Sequence, residues 1–150
     1  MKRHGIIIRP SAGLGAVFNP GAAKIDDMFY LLARSVPKGY QKLGLVNEFD
    51  DNYNSHLSLW KGTSPRNFSL VTENALMPDR PFDQFGAEDP RICKIADTYY
   101  ILYTSIAIGL GQKNAGDGVR IALASTKDFK NFEKHGVIGP DRRTKAGTLF

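Results

Sequence analysis

The chain has little cysteine, no long apolar run and almost no helical periodicity, and each shortage removes a class of protein. Cys93 is the only cysteine in 150 residues, so no intrachain disulfide framework can form and a cysteine-based zinc site has no second ligand. A reducing, cytoplasmic setting fits that usage. The stretch MKRHGIIIRP offers three isoleucines before Arg9 and Pro10, far short of a signal-peptide core or a membrane span. The expectation is a soluble protein with no membrane partner. His4, His56 and His135 stand in unrelated contexts without metal-ligand spacing, which points to surface or core roles and to no bound metal. Helical periodicity is confined to a stretch around Asp26–Arg34, which argues against long helices. Twenty basic and 15 acidic residues give a formal charge of +5 and a pI near 9.4, favouring anionic partners. The basic residues are scattered among acids and no nucleic-acid motif is present, so nucleic acid is not expected as a partner.

What the chain does have is a repeat. A composition 42% hydrophobic and 11% aromatic suits one globular domain. Within it NPGAAKIDDMFYLL (Asn19–Leu32) matches DPRICKIADTYYIL (Asp89–Leu102) at a shift of 70 residues, with Pro20/Pro90, Lys24/Lys94, Ile25/Ile95, Asp27/Asp97, Tyr30/Tyr100 and Leu32/Leu102 identical. TSPRNF (Thr63–Phe68) then aligns with STKDF (Ser125–Phe129), Ser64 with Ser125 and Phe68 with Phe129, at a shift of 61. That implies about nine extra residues in the first copy, around LVNEFDDNYN. Each copy runs to a Pro-Asp pair, so the blade-like units extend over about 19–79 and 89–141 of a single 1–150 domain. Each begins with an apolar strand, a tight turn at Asp26-Asp27 or Ala96-Asp97, and an aromatic-rich strand, which is a hairpin pattern. HLSLWKGTS and GVRIALASTKD supply third strands, which overrides the helical alternative at Asp26–Arg34.

Units of this size with three or four antiparallel strands read as β-propeller blades. Two blades cannot close a propeller, and AGTLF reads as the start of a further apolar strand, so a complete fold is expected to need more blades. A compact sandwich of two similar halves is the alternative. In a propeller the first strand of each blade lines the axis, so the repeat makes Asn19 and Asp89 equivalent positions facing one pocket. Pro20 and Pro90 should restrict the residue before them to extended geometry and so aim both side chains. Arg91 can keep the Asp89 carboxylate ionised or bind a ligand hydroxyl, and Glu88 can pair with Arg91 or cap nearby amides. Alternatively, EDPR is only a salt-bridged turn.

Six stretches in order carry a resemblance: FNPGA (Phe18–Ala22), LLAR (Leu31–Arg34), GAEDPRI (Gly86–Ile92), YYILYTS (Tyr99–Ser105), IALASTKDFKNFEKHG (Ile121–Gly136) and TKAGTLF (Thr144–Phe150). In order and spacing they resemble the first half of glycoside hydrolase family 130, over essentially the whole chain. The resemblance implies an all-β, five-bladed β-propeller, of which this chain covers about the first two blades and the start of a third. It implies an enzyme, chiefly an inverting phosphorylase that cleaves β-mannosides with inorganic phosphate to α-mannose 1-phosphate. Residue by residue, it makes Asp89 the general acid, acting on the glycosidic oxygen through a sugar hydroxyl, and Asn19, Arg34 and Arg91 holders of the mannosyl unit. It places Arg142, Arg143 and Lys145 in the phosphate-binding set, against the reading of an ordinary solvated loop; Arg120 is a further candidate. No cofactor is implied beyond phosphate as co-substrate, the partner is a β-mannoside or manno-oligosaccharide, and a homo-oligomer is compatible with it.

The chemistry agrees with the residue types. Phosphate is already a nucleophile, so a phosphorylase needs one acid and a set of cations, whereas a hydrolase also needs a base to activate water. The rivals are a β-mannosidase of the same fold and a non-catalytic glycan-binding propeller. Trp60, Tyr99, Tyr100 and Tyr103 read as blade core, with Tyr103 or Phe85 open to a sugar-stacking role. GLGQKNAGDG (Gly109–Gly118) lacks the lysine and strand-to-helix setting of a phosphate loop, so it reads as a flexible connection or as part of the pocket entrance. Cys93 reads as a packing residue.

Overall fold

A computed structural model describes residues 5–43, 53–109 and 112–149. His4, Phe150, most of LVNEFDDNYN and the second and third residues of the glycine-rich loop lie outside the described residues. Two four-stranded antiparallel meanders follow one another. The first is β1 (Leu14–Ile25), β2 (Met28–Pro37), β3 (His56–Ser64) and β4 (Asn67–Leu76). The second is β5 (Gly86–Ile95), β6 (Thr98–Ile106), β7 (Val119–Thr126) and β8 (Glu133–Val137). Both first hairpins close on two-residue turns, Ile25 pairing with Met28 and Ile95 with Thr98. Their first turn residues, Asp26 and Ala96, both take a φ of 51°.

The ladders correct the repeat alignment. Tyr30 pairs with Lys61 and Tyr100 with Ser125, so Lys61 and Ser125 are equivalent and the later strands are related by a shift of 64, not 61. Serine had matched serine across a turn that differs between the copies. The shift of 64 carries Phe68 onto Phe132 rather than Phe129, and reduces the excess between β2 and β3 from nine residues to six. Even a ladder irregularity recurs at this shift, between Leu59 and Trp60 and between Leu123 and Ala124.

Alternation along the strands sorts the side chains. Leu32 of β2 and Tyr99, Ile101 and Tyr103 of β6 join Leu57, Leu59, Ala122, Ala124 and Phe129 in a core between the sheets. Leu31 and Ala33, one residue out of phase with Leu32, face a second cluster with Leu14, Trp60 and the N-terminal Ile7 and Ile8. Both middle strands, β2 and β6, are therefore buried on two sides. Residues 138–149, where a third blade was expected to begin, carry no strand among those described and lie along the outer face of the second sheet. There Thr144 N donates to Val119 O, and Gly147 packs on Ile121 and Leu102. The glycine-rich loop ends in a single 3-10 turn, Ala115–Gly118, tied back by Ala107 N to Gly118 O.

The chain between the sheets is held by a buried clasp. Asp83 is fully buried and accepts from Arg80 N (2.9 Å), the Tyr103 hydroxyl (2.9 Å) and Lys134 Nζ (2.6 Å), and Lys134 also reaches Asp79 at 2.6 Å. Burial and the Asp83 charge push the Tyr103 phenol well above its ordinary value. Tyr103 is thus locked in the core and is not open to sugar stacking. Lys134→Met would leave Asp83 buried without its cation, and a loss of about 3 kcal/mol in urea unfolding is expected; a loss under about 1 kcal/mol would mean the clasp is not formed. A second expectation concerns His56, which is buried, with desolvation holding its imidazole below the ordinary 6.5. The folded protein keeps it neutral while the unfolded chain takes up a proton, so stability should fall as pH drops through about 6.5. Thermal unfolding of His56→Gln across that range should show a flatter pH dependence than the parent.

Candidate active site

Asn19 and Asp89 meet because both inner strands carry the same defect. Phe18 pairs with Arg34 and Gly21 with Leu32, leaving Asn19 and Pro20 opposite Ala33 alone. Glu88 pairs with Thr104 and Arg91 with Leu102, leaving Asp89 and Pro90 opposite Tyr103 alone. Each is a β-bulge, which bends its strand and re-aims the side chain, and it tolerates the proline that an unbroken ladder would exclude. The expected extended geometry at Asn19 and Asp89 is corrected here: their φ angles are 46° and 50°. The bulge dictates this left-handed backbone, and Asn and Asp accept it better than other side chains. Gly21 lets the two bulges approach, since a Cβ there would lie 2.8 Å from Pro90 O.

The result is a direct bond, Asn19 Nδ2 donating to Asp89 Oδ1 at 2.9 Å. Arg34, on the face of β2 turned toward the second sheet, adds Nη1 to the same oxygen at 3.3 Å. Its guanidinium lies 4.8 Å from the Phe18 ring centroid and 5.7 Å from that of Tyr53, whose hydroxyl accepts from Nη2 at 2.8 Å. Arg34 Nε is buried with no protein partner among the described residues. Lys145 Nζ approaches Asp89 Oδ2 at 3.7 Å and Glu88 Oε2 at 3.0 Å. Glu88 also accepts from Arg34 Nη2 and from Ser55 Oγ at 3.0 Å. The seam is reinforced by Ala87 N donating to Ser55 O at 2.8 Å.

Two carboxylates and the Arg34 guanidinium therefore share one buried corner, with the half-exposed Lys145 ammonium at its edge. Burial pushes the Asp89 carboxyl up, but the Asn19 amide bond and the Arg34 and Lys145 charges outweigh it and hold the group below the usual carboxylate range. Asp89 is ionised at neutral pH in this state. To donate a proton it must lose part of that cationic company.

Of the residues singled out in the sequence, Asn19, Arg34, Asp89 and Lys145 come together. Arg91 does not join them: it lies past the bulge, its side chain is exposed, and Nη1 donates to Pro90 O at 2.9 Å. Glu88 pairs with Arg34 and Lys145, not with Arg91, because the bulge turns β5 between them. Arg142 and Arg143 are exposed, and their side chains make no hydrogen bond or ion pair among the described residues. Arg120 pairs with Asp141 at 3.1 Å. Sequence reasoning missed Ser55, Tyr53 and the bracketing of Arg34 by Phe18. Tyr53 had one signal, its place in the stretch the first copy has in excess. A groove of about 800 Å³ between Ile6–Arg9 and the β3–β4 hairpin shares none of these residues.

Backbone geometry at the first bulge can be tested by stability alone. Asn19→Ala places a Cβ-bearing residue without a local hydrogen bond at positive φ, and should be about 1–2 kcal/mol less stable than Asn19→Gly in denaturant unfolding. Equal stability of the two would contradict the left-handed backbone.

Comparison with known proteins completes the picture. A family model described as beta-1,4-mannooligosaccharide phosphorylase, that of glycoside hydrolase family 130, matches residues 6–146. A 1,2-beta-oligomannan phosphorylase of Thermoanaerobacter sp. (strain X514) is 32% identical over 136 residues, 90% of this chain and 42% of the relative. A beta-1,2-mannobiose phosphorylase of the same strain is 36% identical over 134 residues, 89% of this chain and 43% of the relative. The Listeria innocua beta-1,2-mannobiose phosphorylase, solved with beta-1,2-mannobiose, superposes with a TM-score of 0.65 at 22% identity, over 89% of this chain and 48% of that one. The chain thus spans under half the length of these relatives, and its two sheets are successive blades of their five-bladed propeller rather than halves of a closed sandwich. On the match over residues 6–146, the chain belongs to glycoside hydrolase family 130.

Proposed function

We propose that this chain carries the acid end of the active site of an inverting β-mannoside phosphorylase. The observation that carries this reading is the Asp89 carboxyl, bonded to Asn19 and within ion-pair distance of both Arg34 and Lys145. Asp89 delivers its proton, through a hydroxyl of the bound sugar, to the glycosidic oxygen. The bond from C1 to that oxygen breaks, and an oxygen of inorganic phosphate attacks C1 from the opposite face to give α-mannose 1-phosphate and a shortened glycan. Asn19 and Arg34 hold the mannosyl unit, and the Nε of Arg34, buried without a partner among the described residues, is a donor for a sugar hydroxyl. Arg91 supports the motif through the Pro90 carbonyl. Lys145, with Arg142 and Arg143 on the same segment, meets the phosphate.

Phosphate arrival bears on the acid as well. A dianion that draws Lys145 toward itself removes one of the charges that keep Asp89 ionised, so co-substrate binding favours the protonated acid. Glu88 is engaged with Arg34, Ser55 and Lys145 and is therefore not free to activate water. A β-1,2 linkage is the preferred substrate, by analogy with the two Thermoanaerobacter phosphorylases, against the β-1,4 linkage for which the family is named. A cytoplasmic setting belongs to the proposal and is supported by the free Cys93. So does the absence of a cofactor other than phosphate.

The test is release of mannose 1-phosphate from β-1,2- and β-1,4-mannobiose by the full-length protein, with and without phosphate. Asp89→Asn should lower the phosphate-dependent rate by at least about a hundredfold, the usual share of a general acid. Free mannose formed equally well without phosphate would establish a hydrolase instead.

A further inference from the structure

Glu88 is the one acid of the cluster to which the reaction assigns no role. It is 6% exposed, and its carboxylate gathers donors from three separate parts of the chain: Arg34 on β2, Ser55 ahead of β3 and Lys145 beyond β8. The same two cations reach Asp89, and each sits farther from Asp89 than from Glu88. For Lys145 the distances are 3.7 and 3.0 Å, and Arg34 likewise lies closer to Glu88, with its contact to Asp89 at 3.3 Å. Asp89 receives the longer contact of each cation.

We propose that Glu88 is a positioning residue that holds the Arg34 guanidinium and the Lys145 ammonium off the Asp89 carboxyl, so that Asp89 can carry a proton while both cations stay within reach of sugar and phosphate. The inference rests on Asp89 being the proton donor. A single cation at these distances lowers a carboxyl by about one to three pH units, and two directed at one acid would leave it unable to protonate a leaving group near neutrality. Sharing them between two acids balances the corner at no net charge. Among the described residues, the groups that face this pair are Asn19 from β1, Arg34 from β2, Tyr53 through Arg34, Ser55, and Lys145 from the last segment. Ser55, held at the seam by the Ala87 N–H bond to its carbonyl, donates its hydroxyl to the Glu88 carboxylate and fixes it.

Glu88→Gln keeps the shape and can keep the Ser55 bond, but removes the charge, so both cations turn to Asp89. The readout is the pH profile of kcat for sugar release by the full-length protein at saturating phosphate. The alkaline limb, set by the acid's deprotonation, should move to lower pH by about one unit, with kcat at pH 7 down about tenfold and KM for phosphate unchanged or lower. Glu88→Asp, which retains the charge, should keep the limb within a few tenths of a unit. Glu88→Gln combined with Lys145→Gln restores the balance and should return the limb toward the parent while KM for phosphate rises. A limb that stays in place in Glu88→Gln overturns the proposal, since a merely structural acid would lower kcat without moving it. Carbon NMR titration of the Asp89 carboxyl reads the same quantity without turnover: a lower midpoint in Glu88→Gln supports the proposal, an equal one overturns it. If the parent proves indifferent to phosphate, the phosphorylase reading falls but the limb comparison still stands, because the acid serves both routes.

Discussion

The site depends on one repeated irregularity, an extra residue inserted at the same place in each inner strand. In an unbroken ladder Asn19 and Asp89 would have kept the regular alternation of side chains from one sheet face to the other. The bulge bends the strand and turns the backbone left-handed, and the two side chains then meet across the gap between blades. Everything else in the corner is arranged around that bond. Gly21 permits the approach, Ser55 and Ala87 tie the seam, and the Asp83 clasp fixes the chain that carries β5 into place.

Electrostatics then decide what the corner can do. On the proposed function, proton donation needs Asp89 protonated, whereas binding of phosphate and of sugar hydroxyls needs cations close by, and the two demands conflict at distances of 3 to 4 Å. On the proposal above, Glu88 separates them by giving the cations a second acid to rest on. The aromatic rings of Phe18 and Tyr53 add to this by fixing the plane of the Arg34 guanidinium, so that its donors stay divided between the acids.

Much of this was legible in the sequence. The turns at Asp26-Asp27 and Ala96-Asp97, the aromatic-rich strands that follow them and the equivalence of Asn19 and Asp89 all follow from local pattern and repetition. The alignment failed at Ser64 and Ser125 because short polar residues near strand ends match by composition, while the ladder that fixes true equivalence is a long-range property. Proline rules misjudged the backbone of Asn19 and Asp89 for a similar reason: a local preference yielded to the bulge imposed by the neighbouring strand. Glu88 and Arg91 are three residues apart with opposite charge, which suggests a pair on paper. The pairing actually made, with Arg34 and Lys145, crosses more than fifty positions of chain and has no local signature.

The correspondence of the two bulges has an evolutionary side. Asn19 and Asp89 are near-isosteric: one bears a neutral amide that donates, the other a carboxyl that ionises, on the same backbone in the same register. The codons for asparagine and aspartate differ by one base. A blade copied in tandem would first have placed two identical side chains against each other, and a single nucleotide change in one copy is enough to turn a matched pair into a donor and an acid. The donor and the acid thus break a symmetry that the two bulges still display.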